Sequence, residues 1–397
     1  MNLPNLALRP SVAVLIVFFA ILFTYPTRLL GIFAGRLEHT VKTKWVEYGG
    51  LNNEKCWKNT AGQACEDVKI HAGSNTAFLA CGNPRDRVDF YPGGGRLNSA
   101  PERYYLEYFV KYDIEANLTT RLRIDNWKGN RDLVLHGLDI WESEDDPSEI
   151  TLFAVNHDRR KESILMLSHT LGSDTLHLVK EFSHPLIKTP NEVAAAGPRA
   201  FFISNDHYYY NGLLRQLEDK YGPFQWASNV VYCADTDEGL DCKSVSPKNA
   251  HPHANGVLLV DQGKTLMVND IVHGSVTAYD VHQVTKHLTP KQTILLGAAP
   301  DNLSADPVSG DLIVSVVPNM MSVFARAFGD DPLNYDALVE AAVLRLVKAN
   351  NYSAEIIFWD NGSSISILTG SAVSAKHGKL VAGGVWERHF VVCDVIL

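Results

Sequence analysis

Residues 256–280 read GVLLVDQGKTLMVNDIVHGSVTAYD. Three apolar, β-branched runs, Gly256–Val260, Thr265–Asp270 and Ser275–Asp280, are separated by polar turns, the first of them Asp261-Gln262-Gly263-Lys264. Such runs, bounded by residues that accept turn backbone angles, predict antiparallel strands in tight succession. The pattern extends outward in both directions, through Thr76–Cys81, Ile150–Asn156, Phe201–Asn205, Asp311–Val316 and His389–Val395. About sixteen to twenty-four strand-sized runs follow one another with no composition break. That predicts an all-β chain folded as a β-propeller of four-stranded blades over residues 45–397, with a two-sheet sandwich as the alternative. Two segments read as helical decorations: Gly212–Lys220, and Asp336–Ala349 with apolar residues at Leu338, Val339, Ala342, Val343 and Leu346.

The chain has 397 residues, 46% hydrophobic content and a net charge of −9. The negative balance, with no basic stripe, argues against nucleic acid as a partner. Val12–Phe23 (VAVLIVFFAILF) is a hydrophobic block inside an uncharged stretch from Ser11 to Thr27, flanked by Arg9 and Arg28. It lies between a signal-peptide core and a span of roughly 20 residues. Residues 1–35 are therefore expected to be a secretory signal retained as a membrane anchor plus linker, with the propeller on the luminal or extracellular side. The six cysteines suit that oxidising compartment. Cys56 and Cys393 lie at opposite ends of the domain, where a bridge would close the chain on itself. Cys65 and Cys81 flank a hairpin turn, and Cys233 and Cys242 bracket another, but six cysteines permit 15 connectivities. Asn-x-Ser/Thr sequences occur at Asn117, Asn302, Asn351 and Asn361, of which Asn302 falls in a candidate metal motif and is not expected to carry a glycan.

The chemistry is first narrowed by what is missing. There is no Gly-x-Ser-x-Gly elbow, no His-Glu-x-x-His, no Cys-x-x-Cys and no Walker ending after Gly93-Gly94-Gly95. Asp235-Thr236-Asp237-Glu238-Gly239 begins like an EF-hand loop but lacks its closing glutamate. What stands out is a set of short oxygen donors at predicted turns: Glu66-Asp67, Asn191-Glu192, Asn255-Gly256 and Asp301-Asn302. Glu66 and Asp301 would neutralise a hard divalent cation, while Asn191, Asn255 and Asn302 add uncharged oxygens of the kind calcium accepts. An open position on such an ion would polarise a substrate carbonyl. His136 and His157 lie among these donors and titrate near neutral pH, as a general base requires. The combination points to calcium-assisted hydrolysis.

The chain resembles the paraoxonase family of calcium-dependent lactonases and arylesterases. The resemblance rests on His136-Gly137-Leu138, Val155-Asn156-His157, Asn191-Glu192-Val193 with Ala196-Gly197-Pro198, Asn205-Asp206-His207-Tyr208, Ala254-Asn255-Gly256 and Asp301-Asn302-Leu303-Ser304-Ala305-Asp306-Pro307. It runs in order from about Asn53 to the C-terminus. It implies a six-bladed propeller with two calcium ions in its tunnel and a small lactone or ester as substrate. By the same resemblance, the catalytic ion would be held by Glu66, Asn191, Asn255, Asp301 and Asn302. A deeper structural ion would take Asp67, Glu192 and the backbone carbonyl of Leu138. His136 and His157 would form a dyad, His136 deprotonating water and His157 relaying. Cys56 and Cys393 would form the end-to-end disulfide. Three positions depart from the family: Glu192 stands where it has Asp, Val317 where it has a pocket histidine, and Val316 where it has a free cysteine. A non-catalytic, calcium-stabilised propeller acting as a cell-surface binding module is the alternative function. Further expectations concern five single residues: His207 as a structural hydrogen-bonding residue near the tunnel, His251 and His253 on a solvated loop, with the pocket mouth as the alternative, and Trp226 and Trp386 in the core.

Overall fold

The computed structural model describes Leu15 and residues 50–143, 146–327, 329 and 331–396. Leu15 apart, the N-terminal hydrophobic block lies outside the described residues, so its expected role as signal or anchor is not addressed. Among the described residues no helix is long and apolar enough to cross a membrane. Residues 256–280 form the expected meander: Ala254–Val260, Thr265–Asp270 and Ser275–Val281 pair antiparallel in sequence order, and Leu288–Leu295 completes a four-stranded sheet. The same unit recurs around an axis. Six inner strands, Asp67–His71, Leu135–Glu142, Pro190–Gly197, Ala254–Val260, Ala299–Ala305 and Leu368–Ser374, contact one another in a closed cycle. Their outer partners radiate from that cycle, the arrangement of an all-β propeller.

The expectation of six separate blades needs correction. The described residues form four separate four-stranded sheets and one eight-stranded sheet, beside a small two-stranded ribbon. The large sheet arises because the outer strands Leu118–Ile124 and Thr175–Phe182 pair in parallel at Arg123–Thr175 and Ile124–Leu176. Two antiparallel meanders are thereby joined edge to edge, which also hides two exposed edges.

The ring is closed by the start of the chain. Cys56–Asn59 is the outermost strand of the sheet built otherwise from the last three strands, and it pairs antiparallel with Phe390–Asp394. In that register Cys56 faces Cys393, and the two form a disulfide spanning 337 residues. The Cys65–Cys81 and Cys233–Cys242 bridges also form, the second between neighbouring strands and the first from just before the strand Asp67–His71 to the end of Thr76–Cys81. A bridge over so long a loop restricts the unfolded chain strongly. Replacing Cys56 with Ser is expected to lower stability by about 2–5 kcal/mol, seen as a lower thermal midpoint under non-reducing conditions. An unchanged midpoint would mean that strand pairing alone closes the ring.

Helix α1 (Pro84–Asp89), helix α2 (Gly212–Tyr221) and helix α3 (Met320–Ala327) decorate the scaffold. Helix α2 matches expectation. The second expected helix does not: Ala341–Val347 is a strand between Leu312–Val317 and Ser353–Asp360. Its alternate residues bury against different cores, with Ala342, Leu344 and Leu346 on one side and Ala341 and Val343 on the other. A strand covered on both faces reads as a continuous apolar run, which local periodicity does not separate from a helix. Trp386 is buried as expected, but Trp226 is 51% exposed and stacks on Phe224 at the surface.

Candidate functional site

The donor residues sit at or just before the starts of inner strands, and most of these starts are irregular. Register shifts fall between Pro190 and Val193, Ala254 and Val257, Pro300 and Leu303, and Leu135 and Leu138. These bulges contain Asn191, Asn255, Asp301 with Asn302, and His136. A bulge places two residues opposite one and re-aims a side chain that regular pleating would send into the sheet face. Glycines permit the crowding that follows. A Cβ on Gly137 would lie 2.3 Å from Glu192 Oε1, and one on Gly256 would lie 2.7 Å from the Asp301 carbonyl oxygen.

The result is convergence. Glu66, Asn191, Asn255, Asp301 and His136 line the same cavity, which has a volume of about 1030 Å³. The Asn302 amide donates to Glu66 Oε1 at 2.8 Å, and His136 Nε2 lies 3.5 Å from that same oxygen. The Asn191 amide donates to Asp206 Oδ2 at 3.3 Å. Four buried oxygens of this group, Glu66 Oε2, Asn191 Oδ1, Asn255 Oδ1 and Asn302 Oδ1, have no hydrogen-bond partner. Each such orphan costs roughly 1–3 kcal/mol unless something else satisfies it. Burial, then the adjacent Asp67, pushes the Glu66 carboxyl up to about 8. Burial, then Glu66, raises Asp301 well above the usual carboxylate range. Unpartnered oxygens around two carboxyls held close together fit a hard divalent cation. Among the described residues no group of three or more His, Cys, Asp or Glu is arranged to hold a metal alone. Here the donor set depends on asparagine amides.

The deeper trio behaves differently. Lys69 Nζ donates to Asp67 Oδ2 at 2.7 Å and lies 3.3 Å from Glu192 Oε2. Asp67 Oδ2 also accepts the Leu138 N–H at 3.0 Å, while Asp67 Oδ1 and Glu192 Oε1 accept the Val68 and Val193 amides. All four carboxylate oxygens are therefore partnered within the protein. The expected second ion with Asp67, Glu192 and Leu138 does not fit these residues, because a lysine ammonium already stands between the two carboxylates.

The two histidines do form a pair, and a third residue extends it. His136 Nδ1 is 2.9 Å from His157 Nε2, and His157 Nδ1 is 2.6 Å from Glu162 Oε2. With Glu162 ionised, His157 carries its proton on Nδ1 and accepts on Nε2. His136 must then donate through Nδ1, which leaves its Nε2 free. Burial, then the neighbouring His157, lowers the His136 pKa to about 3, so its ring is neutral across the physiological range. Sequence reading missed Glu162. A signal was present: Glu162 is the cross-strand partner of His157 across a tight turn, at a spacing of five.

The walls are apolar and come from helix α3 and from residues at strand ends. Met320, Val323 and Phe324 of helix α3, with Ile271, Val317 and Trp386, line the cavity. Val317 thus presents a hydrocarbon wall. Helix α2 is anchored by Arg215, buried, which donates to the Pro92 carbonyl at 2.9 Å. His207 is a hydrogen-bonding residue at this cavity, as expected, with Nδ1 2.7 Å from Asp206 Oδ1. The expected solvated loop at His251 and His253 is corrected. His251 is buried between Asp270 and the Tyr279 hydroxyl. His253 packs edge-on against His207 and lines the cavity, because this loop folds inward over the tunnel mouth.

The family profile described as Arylesterase matches residues 90–395. Serum paraoxonase/arylesterase 2 of Gallus gallus is 32% identical over 331 residues, covering 81% of this chain and 84% of that protein. Serum paraoxonase/arylesterase 2 of Homo sapiens is 31% identical over 265 residues, covering 64% and 66%. Serum paraoxonase/lactonase 3 of Homo sapiens is 28% identical over 330 residues, covering 81% and 84%. The matched span contains five of the six inner strands, the His136–His157–Glu162 chain and every proposed upper-site donor except Glu66, and on this footing the chain belongs to the arylesterase family.

Proposed function

We propose that this chain is a carboxylic ester hydrolase that opens lactones or cleaves aryl esters with the help of a bound calcium ion. The observation that carries the reading is the meeting, at one cavity, of orphaned buried oxygens on Glu66, Asn191 and Asn255, with that of Asn302 beside Glu66, and a histidine whose Nε2 lies 3.5 Å from Glu66 Oε1. In this reading Glu66, Asn191, Asn255, Asp301 and Asn302 hold the ion. Calcium bound there would supply Lewis-acid polarisation of the ester carbonyl oxygen. The protein's own residues do the rest. His136 Nε2 accepts a proton from water positioned at the floor. The proton on His136 Nδ1 can shift to His157 Nε2, and Glu162 holds His157 in the receptive tautomer. The apolar wall of Met320, Phe324 and Trp386 binds the non-reacting part of the substrate and excludes water.

The eight-stranded sheet is read as two blades fused at their outer edges, making a six-bladed ring over residues 45–397. Residues 1–35 are read as the secretory signal or anchor, with the disulfide-bonded ring on the extracellular or luminal side. The test of function is a panel of aryl esters and lactones offered to the purified full chain. Turnover of at least one class, abolished in a variant lacking the His136 imidazole, is expected; no turnover of any member would favour a binding module.

Glu162 gives a finer test. Glu162→Gln keeps the size but removes the charge that orients His157. It is expected to lower kcat by about tenfold with KM unchanged, since Glu162 acts through His157 and lies behind the dyad. A change confined to KM would place Glu162 outside the relay.

A further inference from the structure

We infer that the Lys69 ammonium is a built-in replacement for a second metal ion, so that the tunnel of this protein takes at most one divalent cation. The inference stands apart from the ester-hydrolase reading. Asp67 and Lys69 are two apart on the inner strand Asp67–His71, so their side chains leave the same face. Both are buried, as is Glu192 from the inner strand Pro190–Gly197. Two buried carboxylates facing each other are unsolvated and repel, so either a shared proton or a cation between them must relieve the repulsion. Lys69 Nζ occupies that position, at 2.7 Å from Asp67 and 3.3 Å from Glu192. The remaining oxygens of both carboxylates accept backbone amides, so no oxygen of the pair is left without a donor. This contrasts with the upper site, where four oxygens have none.

The geometry also gives Glu192 a purpose. Its carboxylate reaches the ammonium while its Oε1 takes the Val193 amide, and Gly137 leaves the space it fills. Lys69 thereby ties the inner strand that carries Glu66-Asp67 to the one that carries Asn191-Glu192, across 123 residues of chain. A covalently attached cation cannot be lost to a chelator. The lower half of the tunnel should therefore keep its shape when metal is scarce, a property a second exchangeable ion would not confer.

The experiment counts ions. Native mass spectrometry of the purified full chain in excess calcium, followed by elemental analysis, gives calcium per chain. A count of one is expected. A count of zero also leaves the lower position metal-free and fails only the upper-site reading, whereas two ions per wild-type chain overturn the inference. The variant Lys69→Met keeps the hydrocarbon stem and removes the charge. It is expected to bind one calcium more than wild type, to melt lower than wild type in chelator, and to recover when calcium is added. If Lys69→Met gains no ion and melts like wild type in chelator, the ammonium is not the bridging charge and the inference fails. Should the variant not fold, the wild-type ion count decides alone.

Discussion

Stripping divalent cations with a calcium chelator is expected to reduce aryl-ester or lactone turnover by about 10³-fold, the effect of losing roughly 4 kcal/mol of transition-state stabilisation. The expectation follows from the upper site. Glu66 Oε2, Asn191 Oδ1, Asn255 Oδ1 and Asn302 Oδ1 are buried without donors; burial and then Asp67 raise the Glu66 carboxyl, and burial and then Glu66 raise that of Asp301. Of the cationic side chains that line the cavity, Arg215 is committed to Asp219 and to the Tyr209 and Pro92 carbonyls, and Lys220 belongs to the wall formed by helix α2. His136 is neutral and serves as acceptor, and the Arg87 guanidinium is committed to Glu107 at 2.6 and 2.8 Å. Stability should fall in the same experiment. A ligand at a hundredfold excess over its Kd contributes about 2.7 kcal/mol to the folded state, so the thermal midpoint should drop in chelator. Calcium should restore both quantities. Magnesium should restore them poorly, since it demands a tighter octahedral shell than amide and carboxylate oxygens at the starts of four separate strands can offer. Full turnover in chelator would remove the ion from the chemistry altogether.

The second large effect is expected from His136→Gln. Loss of a general base lowers turnover by about 10²–10⁴-fold. The glutamine amide is close in reach and can still donate to His157 Nε2, so the hydrogen-bond chain to Glu162 survives and the fold should melt within about 1 kcal/mol of wild type. The pairing of a large kinetic loss with a small stability loss is the signature of a residue that touches reacting atoms. His157→Gln should lose less, because it stands one bond further from the cavity floor, where His136 alone of the pair lines the wall. The two variants assayed side by side with one ester settle the order. Should His136→Gln retain turnover within threefold of wild type, the proton must leave by another route. The buried Tyr91 hydroxyl, which lacks a partner and whose ring lies 5.3 Å from that of His136, would then be the next group to test.

Much of the site was legible in one dimension because its chemistry is stated by residue type. Asn191, Asn255 and Asp301-Asn302 are rare choices for the first residues of inner strands, where apolar side chains would pack better. Their recurrence at turn-to-strand transitions marked them as donors. His136 and His157 were recognisable for the same reason. Lys69 was not. A lysine on a short strand reads as a solvent-facing residue, and only its burial opposite Glu192, 123 positions away, makes it a counter-charge. Glu162 was hidden by a similar habit of reading, since a charged residue just after a tight turn is normally exposed. The strand Ala341–Val347 was misread because burial on both faces erases the alternation that identifies a strand.

Taken alone, then, the order of residues determined the strand punctuation and the kinds of oxygen and nitrogen available for chemistry. These are local or pairwise properties: a turn needs Gly, Asn or Asp within a few residues, and a hard cation needs oxygen donors whatever their address. Which donors remained open for a metal and which were satisfied by an internal ammonium was decided only in three dimensions. That outcome depends on bulges, on glycines that let inner strands approach, and on distances between residues that only the closed ring brings together.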